Sequence, residues 1–162
     1  MDHEHYPDAL LRRVLREVKT IAMVGASPDW NRPSYFAMKY LQIKGYRVIP
    51  VNPKAAGQEI LGERVHASLR DVPEQVDMVD IFRTAAAVPP IVEDAIAIGA
   101  KVVWMQLGVR HDAAARRAEE AGLTVIMNRC PKIEYGRLNR ELSWGGVNSR
   151  IISSKRRLEG RR

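Results

Sequence analysis

Three short segments hold side chains suited to gripping an anion: Gly25-Ala26-Ser27, Arg32-Pro33-Ser34 and Asn52-Pro53-Lys54. Gly25 ends an apolar run and permits a backbone that other residues resist. The Ser27 and Ser34 hydroxyls, the Arg32 guanidinium and the free amides of a helix starting near Pro33 together form a cradle for phosphate oxygens. The plainer reading is that both serines only cap turns. A dinucleotide fingerprint would need two more glycines, and Ala26, Ser27 and Pro28 stand in that stretch instead.

Asn52 and Lys54 close the next apolar run, where an NAD site places Asp or Glu against the ribose hydroxyls. A carboxylate there would repel a ribose phosphate, whereas a lysine attracts one. The pair argues against NAD and for a phosphorylated ribose, as in coenzyme A or NADP; a solvated lysine is the competing reading. Farther on, Phe82 and Arg83 precede small apolar residues up to Val88, a surface on which an adenine or a pantetheine chain could lie. Arg83 serves equally well as a clamp between loops. Asp80 sits inside an apolar strand, where a lone carboxylate is costly. Loop amides or Arg83 are its expected partners.

Other chemistry is thin. His3 and His5 fall in a terminus expected to fray, so "DHEH" cannot hold a metal by itself. His66 lies in an irregular stretch, and His111 follows a strand closely enough to face the site. Cys130, the single cysteine, suits a reducing compartment and reads as a small buried hydrophobe, or as a thiol within reach of a ligand thiol. No Ser-His-Asp spacing, nucleophile elbow or Walker lysine is present.

These residues need a scaffold that brings them to one edge. Apolar runs at 21–24, 46–51, 76–82, 102–106 and 123–127 read as short strands buried on both faces. Helical stripes alternate with them. The first, before any strand, carries Leu10, Leu11, Val14, Leu15 and Val18. The next runs from Pro33 to Lys44 and buries Phe36, Ala37, Tyr40 and Leu41. Val88 to Ile96 and residues 112–121 complete the set. Gly57, Gly62 and Pro73 break residues 55–75, where a short strand or helical turn fits. Alternation of this kind predicts a three-layer α/β/α fold, a Rossmann-like doubly wound parallel sheet of about five strands in the order 3-2-1-4-5. Ligands of such sheets sit beyond the carboxyl ends of the strands.

The chain of 162 residues fits one domain: a helix over 1–19, the Rossmann-like body over 20–135, and an extension over 136–162. Its net charge of +7 is uneven. Residues 150–162 carry six basic residues and one acid, a net of +5, and leave +2 for the other 149. Such a tail reads as solvated rather than as a nucleic-acid surface, since no aromatics are interleaved with the cations. No apolar run is long enough to cross a membrane, and no secretory signal opens the sequence, so a cytoplasmic location is expected.

With "VGAS" followed by "RPSY", "VIPVNPK", "VDIFR", "VWMQLG" and "NRCPKIEY" in this order, the chain resembles the small stand-alone CoA-binding proteins. These share a Rossmann-like domain with the CoA-binding part of the succinyl-CoA synthetase alpha subunit and with ADP-forming acyl-CoA synthetases. The resemblance covers residues 20–135. It implies that Gly25, Ala26, Ser27, Arg32, Pro33 and Ser34 meet the CoA phosphates, with Asn52 and Lys54 near the adenosine ribose and its phosphate. Phe82, Arg83 and Val88 would flank the adenine or pantetheine, and Gln106, Leu107 and Gly108 the far end. The larger synthetases use a phosphorylated histidine and a separate nucleotide domain. Binding of CoA or acyl-CoA without synthetase chemistry is therefore expected here, by a carrier, sensor or regulatory module, alone, as a homo-oligomer or beside a partner enzyme. The alternatives are an NADP-binding oxidoreductase or sensor, and a nucleic-acid binder working through the basic tail.

Overall fold

The computed structural model describes residues 1–140. Five parallel strands form the central sheet: β1 (Thr20–Val24), β2 (Arg47–Val51), β5 (Met78–Ile81), β6 (Val102–Met105) and β7 (Thr124–Ile126). Every residue of β5 and β6 is buried. Both faces are covered, which is why these strands read as unbroken apolar runs rather than alternating ones. Helices α1 (Asp8–Glu17), α2 (Pro33–Ile43) and α5 (Pro131–Leu138) cover one face, where Leu11, Val14, Met38 and Leu41 pack with Met23, Met78 and Trp104. Helices α3 (Val88–Ala97) and α4 (Asp112–Glu120) cover the other, with Val92, Ala95, Ala115 and Ala118 against Val79, Val103 and Val125. The chain is a Rossmann-like three-layer α/β/α protein.

The strand order differs from the expected one. It is β2-β1-β5-β6-β7. Counting only these five, the order is 2-1-3-4-5, so the strand after residue 75 pairs with β1 rather than lying outside β2. The cause lies in residues 55–75. They fold as a two-residue hairpin of β3 (Glu59–Ile60) and β4 (Glu63–Arg64). Leu61 and Gly62 turn it with φ of 50° and 85°, the positive values that tight hairpins favour. Among the described residues only His66 bridges to the outer edge of β2, at Val51. A strand beside β2 is thus reduced to one pair of bonds, Asn52 N–H to the His66 carbonyl and His66 N–H to the Pro50 carbonyl.

Two further expectations fail. Phe36 is 50% exposed, while Met38 takes the buried place. The inward stripe of α2 runs through Ser34, Ala37, Met38 and Leu41, and Phe36 lies on the outer face with Ile43. The N-terminal residues, in turn, are fastened. His3 Nδ1 lies 2.6 Å from the Tyr6 hydroxyl and its Nε2 lies 3.2 Å from Glu119. The Tyr6 hydroxyl accepts the Met127 N–H at 2.8 Å, the Arg129 guanidinium lies over its ring, and Glu4 pairs with Arg110 at 2.6 Å. This strap lies across the ends of β6 and β7. Among the described residues no helix is long and apolar enough to cross a membrane. Trp144 and the basic tail lie outside the described residues.

Candidate anion-binding site

The topology fixes where a ligand can enter. Strand order reverses between β1 and β5, and the loops leaving their carboxyl ends diverge there. Gly25 follows β1, donates its N–H to the Val51 carbonyl at 2.8 Å, and has φ of 93°. A Cβ at this position would stand 2.4 Å from the Phe82 carbonyl oxygen and 3.0 Å from Cδ of Arg83. Glycine is therefore required where the first and third loops meet, for loop-to-loop approach as much as for any ligand.

From Gly25 the first loop is fastened at both ends. The Ser27 N–H donates to Oγ of Ser34 at 3.1 Å, which ties the loop to the first turn of α2. The Ser27 Oγ in turn accepts the Asp29 N–H at 3.1 Å. Asn52 ties the other side: its Nδ2 donates to the Ala26 carbonyl at 2.8 Å, and its Oδ1 accepts the Lys54 N–H at 2.9 Å. Both serines thus do the turn-capping work anticipated for them, and each hydroxyl keeps a proton to donate. Asn52 is the bracket between β2 and the loop, a role that an Asp could not fill because it lacks the amide donor.

The loops enclose a cleft of about 650 Å³ lined by Gly25, Ser27, Arg32, Pro33, Ser34, Asn52, Lys54, Phe82 and Arg83. Pro28, Pro53, Ala55 and Gln58 complete the lining. Pro28 and Pro53 fall within the segments marked in the sequence, whereas Ala55 and Gln58 do not; Gln58 comes from the irregular stretch, and no local pattern marks it. Among the described residues that line the cleft there is no carboxylate, imidazole or thiol. Among the described residues the side chains of Arg32, Lys54 and Arg83 have neither an ion-pair nor a hydrogen-bond partner. Three uncompensated cations beside the start of α2, whose N-cap Arg32 supplies no side-chain cap, focus positive potential into one cleft.

Other expected residues fall elsewhere. Ala26 is buried and offers only its backbone. Val88 is fully buried in the second core. Gln106, Leu107 and Gly108 follow β6, outside the cleft; the Gly108 N–H donates to Oδ1 of Asn128 at 2.7 Å, and Leu107 is exposed. His111 caps α4, its Nδ1 accepting the Ala114 N–H at 3.1 Å, so its ring is spent on the helix start. Cys130 is buried at the N-cap of α5. Among the described residues, no group of three or more His, Cys, Asp or Glu is placed to hold a metal.

Asp80 contradicts its expected role as a partnered structural group. It is wholly buried, and neither carboxyl oxygen meets a loop amide, Arg83 or any other donor among the described residues. Burial alone pushes its carboxyl well above the usual carboxylate range, which favours the neutral form.

Fold and cleft together define a Rossmann-like protein with a cation-lined cleft at its switch point. Comparison with known proteins gives the family. Residues 19–136 match the family described as CoA binding domain, and the chain belongs to it. The uncharacterized protein YneT of Bacillus subtilis is 35% identical over 127 residues, 78% of this chain and 93% of its own length. ADP-forming acetate–CoA ligase I of Archaeoglobus fulgidus is 29% identical over 150 residues, 86% of this chain but 21% of the ligase. The chain thus spans about a fifth of that ligase. A solved structure of a hypothetical protein from Pyrococcus horikoshii OT3 superposes with a TM-score of 0.80 at 40% identity, covering 85% of this chain and 96% of that one.

Proposed function

We propose that this chain binds coenzyme A, free or acylated, in the carboxyl-edge cleft and acts without catalysis as a cytoplasmic carrier, sensor or regulatory module. The observation that carries the reading is the trio Arg32, Lys54 and Arg83, without a partner among the described residues, around a cleft whose described lining holds no carboxylate. Coenzyme A brings a diphosphate and a ribose phosphate, and three cations in one cleft offset most of that charge. Family membership supports the ligand class, and the related ADP-forming enzymes are acetate–CoA ligases. Support for a non-catalytic role comes from the lining, which among the described residues offers no carboxylate, imidazole or thiol as general base or nucleophile. In this reading Lys54 meets the ribose phosphate, Arg32 and the Ser27 and Ser34 hydroxyls meet the diphosphate, and Phe82 and Arg83 flank the far wall.

Calorimetric titration with CoA, dephospho-CoA and NADPH tests it. CoA is expected to bind most tightly, and Lys54→Ala to weaken CoA more than dephospho-CoA. No heat from CoA at millimolar concentration would remove the reading. Preferential binding of NADPH would replace it with an NADP site, which the same lysine suits.

A further inference from the structure

Trp30 is 70% exposed, more than any other large hydrophobic residue described. It occupies a corner of a tight turn closed by the Arg32 N–H to the Asp29 carbonyl at 3.1 Å. The loop is fastened just before this turn, at Ser27 and Asp29, and just after it, at Ser34. Residues on both sides of the tip, Ser27 and Pro28 before it and Arg32 and Pro33 after it, line the cleft. Trp30 therefore stands at the tip of a short arm whose two fixed ends line the cleft. No ring contact among the described residues involves it. A large aromatic group left in water at the mouth of a cationic cleft, with a half-buried phenyl ring at Phe82 on the wall below, has the composition of a stacking platform.

We propose that Trp30 folds over the adenosine half of the bound ligand and stacks on its purine, and so is a specificity-determining residue of the cleft. This rests on the CoA reading above and adds to it the element that selects a base-bearing ligand from other phosphorylated molecules. The cations fix the phosphates but are blind to the base; the indole senses a flat ring system and is blind to charge. Tryptophan loses little conformational freedom on closing, since it has two side-chain torsions.

The test uses the whole chain and three probes: CoA, adenosine 3′,5′-bisphosphate and 4′-phosphopantetheine. Calorimetry on wild type, Trp30→Ala and Trp30→Phe gives affinities, and tryptophan emission reports on the indole. Trp104 is fully buried, and the Trp30→Phe protein keeps Trp104 and Trp144 as the background emission. Trp30→Ala is expected to weaken CoA and the bisphosphate by roughly tenfold, in line with measured base–aromatic stacking, and to leave phosphopantetheine unchanged. Trp30→Phe is expected to recover most of the affinity, and the emission change seen on adding CoA to wild type is expected to vanish in it. Equal CoA affinity in wild type and Trp30→Ala would overturn the role of Trp30 while leaving the CoA reading intact. A loss confined to phosphopantetheine would likewise overturn the assignment to the purine. Failure of wild type to bind CoA would overturn both.

Discussion

The carboxyl edge of the sheet has two halves that use basic residues in opposite ways. Around β1, β2 and β5, the cations Arg32, Lys54 and Arg83 face a cleft and have no partner among the described residues. Around β6 and β7, the cations are consumed. Arg110 pairs with Glu4 and Asp112, and Arg129 donates to the Asn128 and Glu4 carbonyls while lying over the Tyr6 ring. The N-terminal strap supplies most of these partners. A basic residue at this edge thus signals a binding role only where the fold withholds a counter-charge, and the second half serves stability.

The largest expected effect separates the halves directly. Replacing Arg32, Lys54 and Arg83 together by alanine should reduce CoA affinity by more than about a hundredfold, each charge-assisted contact contributing on the order of 1–3 kcal/mol. The melting temperature should hold. Replacing Arg110 and Arg129 should do the reverse, lowering the melting temperature and leaving affinity in place. Similar affinity losses in both variants, by calorimetry, would erase the distinction.

Gly25→Ala comes next. Its Cβ would collide with the Phe82 carbonyl at 2.4 Å, and its φ of 93° is strained for alanine, so a loss of about 1–3 kcal/mol or more is expected in denaturant unfolding. Because the loops must part to relieve the clash, ligand affinity should fall too. An unchanged unfolding midpoint would mean the two loops are not held together as described.

Salt offers a graded version of the same comparison. Affinity for CoA should fall steadily between about 0.05 and 0.5 M salt, since exposed charges are progressively screened. The strap on the other half, anchored partly by the Met127–Tyr6 bond, should loosen less, as read by amide exchange at Met127.

Asp80 gives the smallest and most specific effect. Its folded-state carboxyl titrates above the unfolded value, through burial. The native state therefore keeps a proton that the unfolded chain releases, and the group's contribution is complete below about pH 4 and declines as pH rises toward the folded value. Asp80→Asn, a neutral isostere, should flatten that decline, making the variant the more stable protein at neutral and mildly alkaline pH. Parallel pH–stability curves for the two proteins would show that Asp80 is charged in the fold.

Much of this architecture was legible in the chain. Short apolar runs such as "IAMV" and "VVWM" announce strands covered on both faces, and the stripe from Val88 to Ile96 announces α3. Order was not, because it depended on whether residues 55–75 contribute a strand. They form a hairpin through Leu61-Gly62, and a single bridge at His66 carries no periodic signal. For the site, Gly25, Ser27, Arg32, Asn52 and Lys54 were marked by type and by position at strand ends. Gln58 was not, and Val88 was misplaced because a residue at a helix start can turn to the cleft or to the core with the same local pattern. Frayed ends were expected where Tyr6 instead seats in a buried bond to Met127, a pairing across 121 positions that no window of sequence can display.

That long-range bond sets an order of events during synthesis. Residues 3–6 leave the ribosome more than a hundred residues before Met127 and Arg129 do, so this end of the chain must wait, unsecured, until β7 has been made. The strap can close only once β7 has been made. Bulky fusions placed ahead of Met1 should interfere at that closing step, and a nascent chain halted before residue 127 should be open to proteases at its first residues.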